Sequence, residues 1–129
     1  GEDLRSYLRR AGEGLTAIAR ALGTCVARLH SADLYHGDLV PSNVIVQSGR
    51  PYLIDFGLSG HSQDIEEHAT DYHLLDRSLR SGFPDIAEAF VEAFRSGYEE
   101  VAGSVRTREV LERVEEIRAR GRYVERVED

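Results

Sequence analysis

Between His36 and Gly57 the chain sets out a fixed order of parts. His36-Gly37-Asp38-Leu39-Val40-Pro41-Ser42-Asn43 leads into the apolar run Val44-Ile45-Val46, Gly49 follows, then a second run Tyr52-Leu53-Ile54 and Asp55-Phe56-Gly57. Two short runs around a glycine predict a β-hairpin. A two-stranded hairpin is not stable alone, so it must lie on other elements. The rest of the sequence supplies helices. Leu15, Ile18, Ala19, Leu22, Val26 and Leu29 recur at helical spacing and predict an amphipathic helix over 15–31. Gly1 to Arg10 reads as a linker entering a short helix, with Leu4, Tyr7 and Leu8 on one face. Further helices are expected over 65–80, 85–101 and 107–120, the last ended by Gly121 as a C-cap. Asp33–Pro41 and Asp55–Gln63 read as irregular loops. The expected fold is mostly α with a short β-hairpin.

The same stretch carries the chemistry. Asp38 is followed five residues later by an amide, Asn43, and a second carboxylate, Asp55, closes the hairpin. Pairing the strands brings Asn43 and Asp55 to one end of it. Both offer hard oxygen donors of the kind Mg²⁺ accepts, and Mg²⁺ takes few ligands from protein. Asp38, in the preceding loop, suits a group that positions a hydroxyl or water. His36 is expected to pack and hydrogen-bond the loop rather than to react. Asp and Asn are also common turn residues, so either half of the pattern alone is weak. The ordered combination is what carries weight, because phosphoryl transfer needs metal ligands and an orienting group.

Other candidates are blander. His61, His68 and His73 are spaced by seven and five residues, not the three or four that share a helical face; they are read as loop and helix-surface residues. Cys25, the single cysteine, is read as a small core residue and excludes an intramolecular disulfide. No run approaches the roughly 18–20 apolar residues of a membrane span. The 129-residue chain has no methionine, which leads to the expectation of a longer parent protein. It has no lysine either: 16 basic residues, all arginine, stand against 23 acidic ones for a net charge of −7. That balance argues against nonspecific nucleic-acid binding by the chain alone. It suits a protein solvated in high salt, or a GC-rich codon bias; the two stay open.

The order of parts resembles a protein-kinase-like catalytic site, without the upstream phosphate-covering loop and ATP-binding lysine. More specifically, the chain is similar to the kinase subunit of the KEOPS complex, the PRPK family of atypical serine/threonine kinases. The likeness rests on Gly1-Glu2-Asp3-Leu4-Arg5-Ser6-Tyr7-Leu8, on His36-Gly37-Asp38-Leu39 with Ser42-Asn43-Val44-Ile45, and on Ile54-Asp55-Phe56-Gly57-Leu58. It continues through Glu66-Glu67-His68-Ala69-Thr70-Asp71-Tyr72 and the terminal Arg120-Gly121-Arg122. The compact spacing, without a long activation loop, is its specific part. Gly37 stands where regulated kinases carry arginine, so control by a phosphorylated loop is not expected.

The resemblance implies the C-terminal lobe of a kinase-like fold over 1–129, with 121–129 as a C-terminal tail. It implies Asp38 as catalytic aspartate, Asn43 and Asp55 as metal ligands, Ile45 and Ile54 lining the nucleotide pocket, and His36 and Asp71 supporting the catalytic loop. Arg120 and Arg122 become candidate tRNA contacts. The implied cofactors are ATP and Mg²⁺. The implied partners are the Kae threonylcarbamoyl-transferase subunit and other KEOPS subunits, with tRNA reached through the complex, in an archaeal cytoplasm and with no membrane. Two alternatives stand beside it: a small-molecule phosphotransferase of the aminoglycoside or choline type, and a noncatalytic kinase-like docking module.

Overall fold

The computed structural model describes residues 1–10 and 14–128, with 122–128 described as backbone only. In chain order the elements are β1 (Glu2–Asp3), α1 (Leu4–Arg10), α2 (Leu15–Ser31), β2 (Leu34–Tyr35), a 3-10 turn (Pro41–Asn43), β3 (Val44–Gln47), β4 (Arg50–Leu53) and β5 (Gly60–His61). They end with α3 (Ile65–Gly82), α4 (Pro84–Ala102) and α5 (Ser104–Glu128). The expected mostly helical architecture with a hairpin is the one observed.

The strands hold more than a hairpin. β3 and β4 pair antiparallel with Val44 opposite Leu53 and Gln47 opposite Arg50, closed by a two-residue turn in which Ser48 and Gly49 both take positive φ. β1 adds a third strand along the other edge of β3, Asp3 opposite Ile45. The segment read as a linker is therefore an edge strand. Asp3 then caps α1 by accepting from the Ser6 amide at 2.7 Å. Both regions read as irregular loops also carry strand: β2 pairs with β5 antiparallel, Leu34 opposite His61. Two-residue strands leave too little periodicity to read.

The core forms where α2 and α4 cross. Leu22, Val26, Phe90, Phe94 and Tyr98 are fully or almost fully buried there, joined by Tyr72, Leu75 and Leu79 of α3 and by Val110 and Val114 of α5. The crossing is close because two glycines meet it. A methyl group on Gly97 would stand 2.0 Å from the Arg20 carbonyl oxygen, and one on Gly23 2.1 Å from that of Phe94. Cys25, expected in this core, is only half-buried on the flank of α2 facing β4.

α3 starts on an Asp64 cap, whose carboxylate accepts from the Glu66 amide at 2.9 Å. α4 starts at Pro84. α5 does not stop at Gly121 but runs through it to Glu128. An interior glycine costs only about 1 kcal/mol, and no proline follows to force a break. Among the described residues no helix is long and apolar enough to cross a membrane.

Candidate functional site

Asn43 and Asp55 flank the open end of the β3–β4 hairpin, and Asp38 is hydrogen-bonded to Asn43 there. The link is backbone geometry. The Ile54 amide donates to the Asn43 carbonyl at 3.0 Å, extending the ladder by one step. Asn43 and Asp55 therefore leave the hairpin at the same end. The Asn43 side chain turns back to the loop: its Nδ2 donates to the Asp38 carbonyl at 2.8 Å and to Asp38 Oδ2 at 3.1 Å. The amide nitrogen is spent on Asp38, so Oδ1 is the side-chain atom left to bind another group. Asp55 is exposed and sits at φ 60°, a left-handed conformation that Asp tolerates better than most residues but still at a cost. Ile45 and Ile54 lie two-residue steps apart on one face of the hairpin, with Tyr52 opposite Ile45. Ile45 is half-buried and Ile54 is 39% exposed.

His36 is wholly buried. Its Nδ1 accepts from the Asp38 amide at 3.1 Å, which leaves Nε2–H to donate to the Ile54 carbonyl at 2.7 Å. One imidazole thus ties the loop carrying Asp38 to the residue before Asp55. Its ring also packs on Phe56, centroids 4.8 Å apart. This is the packing and hydrogen-bonding role expected of it. Gly37 takes φ 92°, and a methyl group there would lie 2.1 Å from the Leu58 carbonyl oxygen. The arginine of regulated kinases has no room at this point.

Asp71 is the anchor beneath the loop. It is 2% exposed and accepts three hydrogen bonds: from the His36 amide at 2.8 Å, the Gly37 amide at 2.9 Å and His30 Nε2 at 2.9 Å. Burial alone would push its carboxyl up, but the His30 bond and the two amides outweigh it and hold the group below the usual carboxylate range. His30 was not legible as part of the site. Its Nδ1 meets the Tyr98 hydroxyl at 2.6 Å while Nε2 holds Asp71, so its ring spans α4 and α3.

His68, expected on a helix surface, is buried at 2% exposure and stacks on His30, centroids 4.2 Å apart and rings within 6° of parallel. Burial first, then the neighbouring His30, pushes its imidazole down to about 4. His61 is exposed on β5, and His73 is half-buried on α3. Arg120 stands apart from this site, paired with Glu66 Oε1 at 2.7 Å at the start of α3. The side chain of Arg122 lies outside the described residues.

The donor set fits a hard divalent cation: an exposed carboxylate and an amide oxygen, with no soft ligand beside them. Among the described residues no group of three or more His, Cys, Asp or Glu side chains is placed to hold a metal by itself. An Asn–Asp pair needs further oxygens, such as those of phosphates or water, to complete a shell.

Residues 1–98 match the lipopolysaccharide kinase (Kdo/WaaP) family. The chain is 39% identical over 127 residues to the KEOPS complex subunit Bud32 of Pyrococcus abyssi, covering 98% of this chain and 58% of that protein. It is 41% identical over 110 residues to a probable serine/threonine-protein kinase BUD32 homolog of Archaeoglobus fulgidus, covering 85% of this chain and 54% of the relative. A probable bifunctional tRNA threonylcarbamoyladenosine biosynthesis protein of Methanospirillum hungatei is 43% identical over 102 residues, 79% of this chain and 19% of that protein. The chain thus spans little more than half the length of the first two relatives and a fifth of the third. The likeness to KEOPS kinase subunits read from the sequence is borne out.

Proposed function

This chain belongs to the lipopolysaccharide kinase (Kdo/WaaP) family, and from that premise we propose that it is the metal- and nucleophile-binding part of an ATP-dependent phosphotransferase or ATPase that serves the KEOPS complex. One observation carries the reading. The Asn43 amide donates to Asp38 while the Asn43 carbonyl accepts from the Ile54 amide, so Asp38 lies beside Asn43 and Asp55 leaves the hairpin at the same end.

In this reading Asn43 Oδ1 and Asp55 would be the residues that hold Mg²⁺ for an ATP substrate. The ion's chemistry is to neutralise phosphate charge and polarise the transferring group. Asp38 orients the attacking hydroxyl or water and takes its proton at a carboxylate oxygen, and Asn43 fixes that carboxylate's rotamer. Ile45 and Ile54 offer an apolar face to the base. Asp71 and His36 keep the loop from rearranging as charge develops, which is where preorganisation is most effective. The names of two relatives, a KEOPS complex subunit and a tRNA threonylcarbamoyladenosine biosynthesis protein, support extending the proposal to KEOPS subunits and tRNA; a Kae-type threonylcarbamoyl transferase as partner and a cytoplasmic setting are proposed from the sequence resemblance. Arg120 and Arg122, both within α5 and at the start of the segment expected to be a tail, are the proposed tRNA contacts.

The test is phosphate release from ATP by the full-length parent with Mg²⁺, with and without Kae partner and tRNA, against Asp55→Ala. Release that depends on Asp55 and responds to partner and tRNA is expected. Release stimulated instead by a small amine or alcohol would move the protein to the small-molecule phosphotransferases. No Asp55-dependent release would leave a docking module.

A further inference from the structure

A buried chain of contacts runs from the last helix to the catalytic loop, and the chemistry above does not use it. Arg106 of α5 donates from an Nη to His68 Nδ1 at 3.0 Å. That leaves His68 Nε2–H to donate to the Ser62 carbonyl, also at 3.0 Å. With both nitrogens committed, the ring cannot turn in its plane or flip. Its face lies flat on His30 at 4.2 Å. His30 is held at Asp71, and Asp71 grips the His36 and Gly37 amides. Ser62 is the far end of the segment that begins at Asp55, and its own amide donates to the Asp33 carbonyl. A single imidazole therefore touches the supports of both sides of the site.

We propose that His68 and Arg106 are positioning residues for phosphoryl transfer, fixing the Asp38 loop through His30 and Asp71 and the Asp55 segment through the Ser62 carbonyl. The inference deepens the functional reading above and rests on it for the reaction concerned. The charged and titratable groups facing His68 are His30 on α2, Asp71 on its own helix, Arg106 on α5, and Asp33, which lines the same cleft of about 350 Å³ between α2 and α5. Tyr98 of α4 closes that cleft. Burial and His30 do most to keep a proton off His68, and Arg106 adds to them because its guanidinium needs the Nδ1 lone pair. Without it His68 protonates at higher pH, turns an N–H toward the gap, and the stack on His30 loosens.

The experiment uses the full-length parent with Mg²⁺ and ATP. Arg106→Ala is expected to lower kcat roughly 10- to 100-fold with little change in KM for ATP, since misplacement rather than lost binding is at work. The acid limb of its kcat–pH profile is expected to move to higher pH, because one of the groups that disfavour the His68 proton is gone. Arg106→Lys restores part of kcat. His68→Phe keeps the stacked ring but drops both hydrogen bonds, and is expected to lower kcat while removing the titration. Arg108→Ala, an exposed neighbour on α5, is expected to change neither. A fall in melting temperature with kcat and the pH profile unmoved would reduce the pair to a structural contact and overturn the proposal.

Amide hydrogen exchange at His36 and Gly37 separates this inference from the functional reading. A roughly 10-fold rise in exchange in Arg106→Ala supports the coupling even if the wild type shows no Asp55-dependent turnover, in which case only the functional reading fails. Unchanged exchange at both amides overturns the coupling whatever the activity.

Discussion

The two sides of the candidate site are built to opposite rules. On the Asp38 side the loop is held from below by buried groups: Asp71 with three donors, His36 tying backbone to backbone, and His30 clamped between Tyr98 and Asp71. On the Asp55 side the chain is open. Asp55 takes a left-handed backbone, and Ile54, Phe56 and Leu58 are 39%, 44% and 66% exposed. The first side specifies a geometry. The second presents a carboxylate and apolar surface to whatever completes the site. The contrast teaches that removing a buried anchor should cost stability and activity together, whereas removing Asp55 should cost activity alone.

The largest expected effect breaks the open side. Asp55→Ala is predicted to reduce Mg²⁺-dependent phosphate release by the parent roughly 10³-fold, the loss expected of the proposed metal ligand, while leaving the chain folded. Asp55→Gly should be equally inactive yet more stable by about 0.5–1 kcal/mol, because glycine takes positive φ without strain. Denaturant melts of the two variants check this. If Asp55→Gly is destabilised, the strain assigned to this residue is absent.

On the buried side, Asp71→Asn leaves one oxygen and one amide nitrogen facing three donors. A loss of about 3–5 kcal/mol is expected, the penalty for breaking a buried charge network, with activity falling alongside. Asp71→Asn stable to within 0.5 kcal/mol of wild type would mean that the network does not anchor the loop.

Acid should act on the buried side first. His68 has a folded-state pKa near 4, below the ordinary 6.5, so the unfolded chain binds the proton more readily between these values. Its contribution is fully present above pH 6.5 and is lost as pH falls toward 4. His73, lowered by burial and then by Arg118, acts in the same direction. Asp71 is depressed below 3.8, so its contribution persists through that window and disappears only at lower pH. Stability measured from pH 7 to 4 should therefore decline in wild type, and less steeply in His68→Phe.

The smallest effect concerns the core. The Tyr72 hydroxyl is buried without a hydrogen-bond partner among the described residues. Tyr72→Phe should be neutral or stabilising by about 1 kcal/mol. By contrast Gly97→Ala should cost about 1–3 kcal/mol by forcing α2 and α4 apart.

What the sequence made legible follows the reach of its signals. The spacing of Asp38, Asn43 and Asp55 is local, and strand pairing puts Asn43 beside the residue before Asp55, so the proposed centre of the site could be read from the sequence. The helix over 15–31 was equally clear from its apolar stripe. The support of the loop by Asp71 came through family resemblance, since nothing local ties residue 71 to residue 36. The His30–His68 stack joins residues on two different helices, and no periodicity announces it. His68 looked like a surface residue because its neighbours Glu66, Glu67 and Thr70 are polar. The third strand was hidden because two residues carry no alternation, and the α2–α4 approach because Gly23 and Gly97 are informative only as a pair.

The most direct test of the account is the affinity of the full-length parent for ATP with and without Mg²⁺, compared across wild type, Asn43→Ala and Asp55→Ala. The account predicts that Mg²⁺ tightens ATP binding in wild type and that each variant loses most of that gain, roughly 10-fold or more, while metal-free ATP binding stays unchanged. An equal gain from Mg²⁺ in all three proteins would contradict the assignment of Asn43 and Asp55 as the metal ligands.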